Sequence, residues 1–293
     1  MNNREYRAGI AQETLAILAA GSYQTPQGKQ VSIARELALS KAGTVHYTSD
    51  GLSALATPPH QSPQYATRFE VCNESTLAAA RRLAAAGHPD PLCLNFASSK
   101  NPGGGFLGGS EAQEENLAKS SGLYPCIAQM TAMYDANRAL KSCMYLDDMI
   151  YSPGIPVFRD DAYQLLAAPF TCSIVTAPAV NRGAVERNEP HRLSEVDAVM
   201  RQRIQKLLDL ALHHGHTTLI LGAWGCGVFG NRPAEMAHWF ADQLLRNPRY
   251  RNAFELVHFA VLDNGNKGTF AAFEKEFCGK RAPLAPESKN PKS

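Results

Sequence analysis

The sequence predicts an α/β protein, a three-layer α/β/α sandwich around a mixed, mostly parallel sheet with an N-terminal helical extension. Four apolar runs carry this expectation: PLCLNFA (91–97), TCSIVTAPAV (171–180), TTLILGAW (217–224) and FELVHFAVLD (254–263). They are too continuously apolar for half-exposed strands, so they read as strands buried on both faces. Amphipathic helical stretches fall between them in the rhythm of βαβ units. A chain of 293 residues, 44% hydrophobic and 19% charged, is sufficient for one domain with elaborations.

Taken in order, residues 3–20 carry apolar side chains at helical spacing and predict a helix that packs as an N-terminal extension. KQVSIA and TVHYT predict short strands, whereas ATPPHQSPQYAT (56–67) is broken by prolines and predicts a loop. From residue 68 the pattern sharpens: TRFEVCN as strand, STLAAARRLAAAG as a helix closed by Gly87, then the strand at 91–97. Residues 194–215 and the stretch after Pro233 predict two further helices. APLAPESKNPKS at the end is proline-rich and polar and predicts a disordered tail. The expected division is thus an extension (1–67), a core (68–280) and a tail (281–293).

The formal charge of +2, from 29 Lys+Arg against 27 Asp+Glu, argues against general nucleic-acid binding by net field. Seven cysteines form no CxxC pair and several sit in apolar runs, as expected of reduced thiols in a cytoplasmic protein. The N-terminal apolar run is too short and interrupted for a signal peptide or a membrane span.

In a sheet of this kind ligands bind beyond the carboxyl ends of the strands. Two glycine-rich loops follow strong strands there, one with Gly103, Gly104 and Gly105, the other with Gly225, Gly227 and Gly230. Bare backbone lets amides approach an anion, and two such cradles suit a diphosphate. Neither loop is a GxGxxG opening a crossover helix, and no Walker sequence occurs.

The first loop runs into Gln113, Glu114 and Glu115. Ser110 and Gln113 fit an S-x-x-Q capping box, which predicts Ser110 as N-cap and both acids in the first turn. Such acids commonly do no more than favour the helix dipole. Successive helical residues point about 100° apart, so the two could not serve one bond as a paired dyad and would need different tasks. A general acid would also have to keep its proton near neutrality, which burial and a like-charged neighbour favour.

PGGGFLGGSEAQEE (102–115) resembles the GGG-x-QEE signature of poly(ADP-ribose) glycohydrolases, and LNFASSKNPGGGF and GAWGCGVFGN resemble the bacterial type of that family. The resemblance spans roughly residues 68–277 and implies a macrodomain fold. It implies that Glu115 protonates the departing ribose oxygen and then deprotonates the attacking water, while Glu114 holds ribose hydroxyls. It further implies that Gly103, Gly104 and Gly105 admit the distal ribose and diphosphate. Gly225, Cys226, Gly227, Val228 and Phe229 would close over the diphosphate, and Asn95 and Gln113 would lie at the ligand. The implied partner is poly(ADP-ribose) or an ADP-ribosylated macromolecule, the product ADP-ribose, with no metal or other cofactor. Ser98 departs from the family, where many members have asparagine in NFAN, and a hydroxyl cannot supply both an amide donor and a carbonyl acceptor at the same reach.

Other chemistry-bearing residues read as bystanders. His213, His214 and His216 end a helix, where partial charge is favoured, without an acid or cysteine at ligand spacing. Cys226 has no histidine partner nearby in sequence and reads as loop packing. Asp147, Asp148, Asp160 and Asp161 are expected to be solvated loop acids. Arg182, Arg187, Arg192 and Arg232 are candidates for holding pyrophosphate. Two rival functions remain beside a glycohydrolase. A non-catalytic ADP-ribose reader would have no need of the acid, and a mono-ADP-ribosyl hydrolase would share the pocket and cut a different bond.

Overall fold

The computed structural model describes residues 3–55, 65–265 and 267–280. The extension begins with helix α1 (Asn3–Ala20), a two-stranded hairpin of β1 (Ser22–Gln24) and β2 (Gln30–Ser32), and α2 (Ala34–Gly43). Strand β3 (Val45–Tyr47) and the short α3 (Ser49–Ser53) follow. The predicted loop at 56–67 lies outside the described residues except for 65–67, which form no regular element. The predicted tail at 281–293 lies outside them entirely.

The next elements are β4 (Arg68–Cys72), α4 (Thr76–Ala85), β5 (Leu92–Phe96), α5 (Gln113–Ser120), α6 (Leu123–Ala128) and α7 (Thr131–Ala139). Two long strands, β6 (Met149–Arg159) and β7 (Leu165–Ala177), lead to α8 (Arg182–Asn188) and α9 (Val196–His213). The chain finishes with β8 (Thr218–Leu221), α10 (Pro233–Ala241), β9 (Leu256–Ala260) and α11 (Thr269–Phe277).

Seven strands form one mixed sheet in the order β3-β6-β7-β5-β8-β9-β4. The pairs β7-β5, β5-β8, β8-β9 and β9-β4 are parallel, and β3-β6 and β6-β7 are antiparallel. Strands β4 and β5 run parallel but are separated by β8 and β9, so α4 crosses over two strands that the chain supplies later. Strand β3 places part of the extension in the sheet itself.

Both sheet faces are covered, as the apolar strands require. One face packs against α9, α10 and α11 through Trp239, Phe240, Phe259, Phe273 and Phe277. The other packs against α4, α6 and α7 through Leu77, Leu83, Cys126, Met133 and Tyr134. All seven cysteines are free thiols.

Helix α1 is bound to the first glycine loop. Arg4 Nε donates to Gly108 O at 2.9 Å and Arg7 Nε to Gly109 O at 2.9 Å. Arg7 also pairs with Glu111, and Thr14 Oγ1 donates to Lys119 O at 2.6 Å. Gly109, at φ +72°, lies so close to the Arg4 carbonyl that no Cβ could be accommodated there.

Candidate active site

Strand β5 delivers the chain into the first glycine loop at the carboxyl edge of the sheet. Gly104 adopts φ +60°, and a Cβ on it would overlap Glu115 Oε1. Bare backbone at this position is therefore what lets the helix carboxylates reach the loop.

The capping box is not formed. Helix α5 begins at Gln113 with Ala112 as N-cap, and no side chain caps it. Ser110 instead sits under the loop, its Oγ 2.5 Å from where a Cβ on Gly105 would lie. The Gln113 side chain is committed elsewhere. Its Oε1 accepts from Phe96 N at 2.8 Å, and its Nε2 donates to Leu94 O at 2.7 Å and Thr76 Oγ1 at 3.0 Å. Gln113 thereby fastens α5 to β5 and α4, so it positions both glutamates that follow.

Glu114 is 3% exposed. Its Oε2 accepts from Ser98 N at 2.6 Å, and its Oε1 from Asn95 Nδ2 at 3.3 Å, which also reaches Thr176 Oγ1 at 3.1 Å. Burial pushes the Glu114 carboxyl up to about 8, assisted by the nearby Glu115 and opposed by hydrogen bonds from Ser98, Asn95 and Gly103. Half-buried Glu115 differs in being held on one side: Oε1 accepts from Gly105 N at 3.0 Å, and Oε2 makes no hydrogen bond among the described residues. Both acids flank Gly104, yet Glu114 is enclosed by donors and Glu115 has one oxygen uncommitted.

The second glycine loop follows β8 and is fixed at both ends. Trp224, fully buried, donates Nε1–H to Ala177 O at 3.0 Å, and buried Asn231 donates to Val180 O at 2.8 Å. Between these anchors Phe229 O accepts from Gly183 N at 3.0 Å, and the Phe229 ring lies 5.9 Å from that of Tyr145. Val228 at the tip is 90% exposed. Burial pushes the Cys226 thiol up to about 12, which suits packing and not nucleophilic attack.

A cavity of about 270 Å³ lies between the loops, lined among others by Glu114, Glu115, Gly225, Gly227, Val228 and Phe229. A second, of about 410 Å³, shares Phe96, Gln113, Ala223 and Gly227 with it and extends to Glu74 and Asp263. Among the described residues no arginine or lysine lines the smaller cavity, so an anion there would be held mainly by backbone amides. None of Gly103, Gly104 and Gly105 is among the residues lining either cavity, the Gly104 and Gly105 amides being bonded to Asn101 O and Glu115 Oε1, and Asn95 reaches the site through Glu114.

Several sequence expectations are corrected. None of Arg182, Arg187, Arg192 and Arg232 lines either cavity. Arg182 pairs with Glu186 and Glu235, Arg192 with Glu189 and Glu195, and Arg232 with Glu235. Asp147 is not simply solvated, since Arg203 and Lys206 each hold it at 2.8 Å; Asp148 is buried and bonds His46 and Ser49. Asp160 and Asp161, by contrast, lie at an exposed turn as expected, Asp160 accepting from the Ala162 and Gln164 amides and Asp161 from Ser75 Oγ. His214 stacks on Tyr151 with centroids 3.6 Å apart, and burial holds it down to about 4, so it is neutral despite the helix end. His216 bonds the Tyr151 hydroxyl at 2.9 Å.

Thr76, Tyr145, Thr176 and Asn231 support the site and were not singled out in the sequence. Only Asn231 had a signal, as a polar residue directly after the glycines and before Arg232-Pro233.

A family model described as microbial-type PARG, catalytic domain, matches residues 11–160, just over half of the chain. Among solved structures, poly(ADP-ribose) glycohydrolase from Thermomonospora curvata bound to the inhibitor ADP-HPD is 45% identical, with TM-score 0.87. That match covers 94% of this chain and 100% of that one. The Deinococcus radiodurans poly(ADP-ribose) glycohydrolase in complex with ADP-ribose is 44% identical with TM-score 0.76, over 82% of this chain and 96% of that one. The comparison with curated proteins gave no match.

Proposed function

This chain belongs to the microbial-type poly(ADP-ribose) glycohydrolase family, a glycosidase hydrolysing poly(ADP-ribose), and we propose that Glu115 is its general acid and base. The observation that carries this reading is the position of Glu115. Its carboxylate stands between the two glycine loops with one oxygen fixed by the Gly105 amide and the other uncommitted.

With a ribose-ribose bond in the smaller cavity, Glu115 gives its proton to the leaving ribose oxygen as the anomeric C–O bond breaks. The ribose left behind carries oxocarbenium character. Glu115, now a carboxylate, takes a proton from the water that attacks this carbon. Proton transfer by a positioned side chain is worth about 10²–10⁴-fold in rate.

Glu114 holds the ribose hydroxyls. A carboxyl that keeps its proton up to about pH 8 can both donate to and accept from a hydroxyl, so its burial serves recognition. Asn95 and Gln113 fix the two acids from behind. The second glycine loop, Gly225–Phe229, takes the diphosphate on its backbone, with Phe229 against the ribose, while Gly104 and Gly105 leave room for the glutamates. The larger cavity, with Phe96 in its wall, takes the adenosine end. The structures of the D. radiodurans enzyme with ADP-ribose and of the T. curvata enzyme with ADP-HPD support an ADP-ribose unit as the group bound.

Residues 1–67 act as an extension to a catalytic core at 68–280 and are built into it, with α1 gripping the first glycine loop and β3 adding an edge strand to the core sheet. The partner is poly(ADP-ribose), the site of action cytoplasmic, and the chemistry proceeds without a metal. No helix among the described residues is long and apolar enough to cross a membrane.

Incubation with automodified poly(ADP-ribose), following ADP-ribose by chromatography, tests the assignment. Release by wild type and its loss in Glu115→Gln, with ADP-ribose binding retained, is the expected result. Equal release by the variant would remove Glu115 from the mechanism.

A further inference from the structure

At the sheet edge behind the larger cavity, three metal-ligating side chains of different chemistry meet. Cys72 ends β4, Glu74 follows it, and His258 lies within β9; one donor atom of each falls within 4.8 Å of the others. The strand register explains the meeting. Strands β4 and β9 are parallel, with Glu70 opposite His258 and Cys72 opposite Ala260. Side chains alternate along a strand, so Glu70 and Cys72 leave β4 on the face that carries His258.

His258 is 0% exposed. Its Nδ1 is hydrogen-bonded to Glu70 Oε2 at 3.1 Å, and since an ionised carboxylate only accepts, the ring proton resides on Nδ1. A lone pair is left on Nε2. That atom makes no hydrogen bond, although Glu74 Oε1 lies 2.9 Å from it. Two electron-rich atoms at this separation repel unless a positive species lies between them. Arg82 Nη2 donates to the same Glu74 oxygen at 2.8 Å, which serves the carboxylate and leaves the imidazole nitrogen unserved.

We propose that Cys72, Glu74 and His258 bind a zinc ion. Thiolate, imidazole and carboxylate form a zinc donor set, and three protein ligands leave a fourth position for water. The charges also balance, because the Cys72 thiolate with the Glu74 and Glu70 carboxylates offsets the dication and the Arg82 guanidinium beside it. Glu70 is the outer partner that fixes the histidine tautomer, as carboxylates commonly do for zinc-bound histidines. Glu74 and Ser75 line the larger cavity, and Ser75 caps α4 by accepting from Ala78 N at 3.0 Å. The ion therefore ties the cavity wall to the sheet without touching the reacting bond.

The test uses the full chain, stripped of metal with a chelator and titrated with zinc against a chromophoric indicator. One equivalent should bind, and cobalt in its place should give a thiolate charge-transfer band. Cys72→Ser should abolish the band, and Glu70→Gln should weaken zinc by about 10–100-fold. A melting temperature of metal-free Cys72→Ser equal to that of metal-free wild type shows that the fold survives. The proposal is overturned by absence of stoichiometric binding, or by an unchanged cobalt spectrum in Cys72→Ser. Nitrogen NMR showing His258 doubly protonated with zinc present would also overturn it, since a proton would then hold the place assigned to the metal. None of these readouts depends on glycohydrolase activity.

Discussion

Gly104 and Glu115 contend for one space: a Cβ on Gly104 would overlap Glu115 Oε1 and approach Glu114 Oε2 to 3.2 Å. Gly104→Ala should displace the acid, and displacements of about 1 Å at a reacting centre cost roughly 100-fold. Steady-state release of ADP-ribose should show the loss in kcat, and the melting temperature should separate it from unfolding.

Glu114 should make stability depend on pH in a defined direction. Its carboxyl lies at about 8 in the fold against an ordinary 4.5, so the folded chain retains a proton that the unfolded chain releases. The resulting stabilisation is fully present below about pH 4.5 and is lost as pH rises through 8, a change on the order of 5 kcal/mol. Glu114→Gln keeps a neutral group there. Its melting temperature relative to wild type should climb between about pH 5 and 9, and a constant difference would contradict the assignment.

Gln113 satisfies Phe96 N–H and Leu94 C=O with one side chain. Gln113→Ala leaves both without that partner, at a cost of about 1–3 kcal/mol for each buried group left unpaired. Urea denaturation should report the destabilisation. Activity should fall along with it, because α5 loses its fastening to β5.

Cys226 should be dispensable for chemistry. With its thiol held near 12, the thiolate is scarce at neutral pH. Cys226→Ala should retain glycohydrolase activity, and alkylation of the native protein should mark exposed Cys278 first. Rapid modification of Cys226 with parallel loss of activity would count against the packing role.

Arg4 and Arg7 hold carbonyls of the loop and do not line either cavity. The double variant Arg4→Ala/Arg7→Ala should therefore lower kcat, by about tenfold if about 1.4 kcal/mol of positioning is lost. Binding of ADP-ribose, read by calorimetry, should change less than kcat does.

The helices and buried strands were legible because their apolar spacing has few alternative explanations. The segments at 3–20, 91–97 and 194–215 contain the observed α1, β5 and α9. Strand β6 was missed because Pro153, Gly154 and Pro156 interrupt it, and the structure accommodates them with a register shift between Ser152 and Ile155. The two acids were correctly placed in the first turn, but Ser110 was not the cap, since spacing alone cannot show that Gln113 is drawn to a strand. Asp147 and Asp148 looked like loop acids because their partners, Arg203 and His46, are far away in sequence.

The contacts from Arg4 to Gly108 and from Arg7 to Gly109 join residues 104 and 102 positions apart. Closing so long a stretch of chain is entropically costly and slow compared with forming a local turn. During synthesis α1 emerges well before the loop that it must grip. The glycine loop thus gains these two anchors only once the segment carrying α1 has folded back onto it, so the finishing of this part of the site rests on a long-range contact. A chain in which α1 fails to dock would keep its central strands and work slowly.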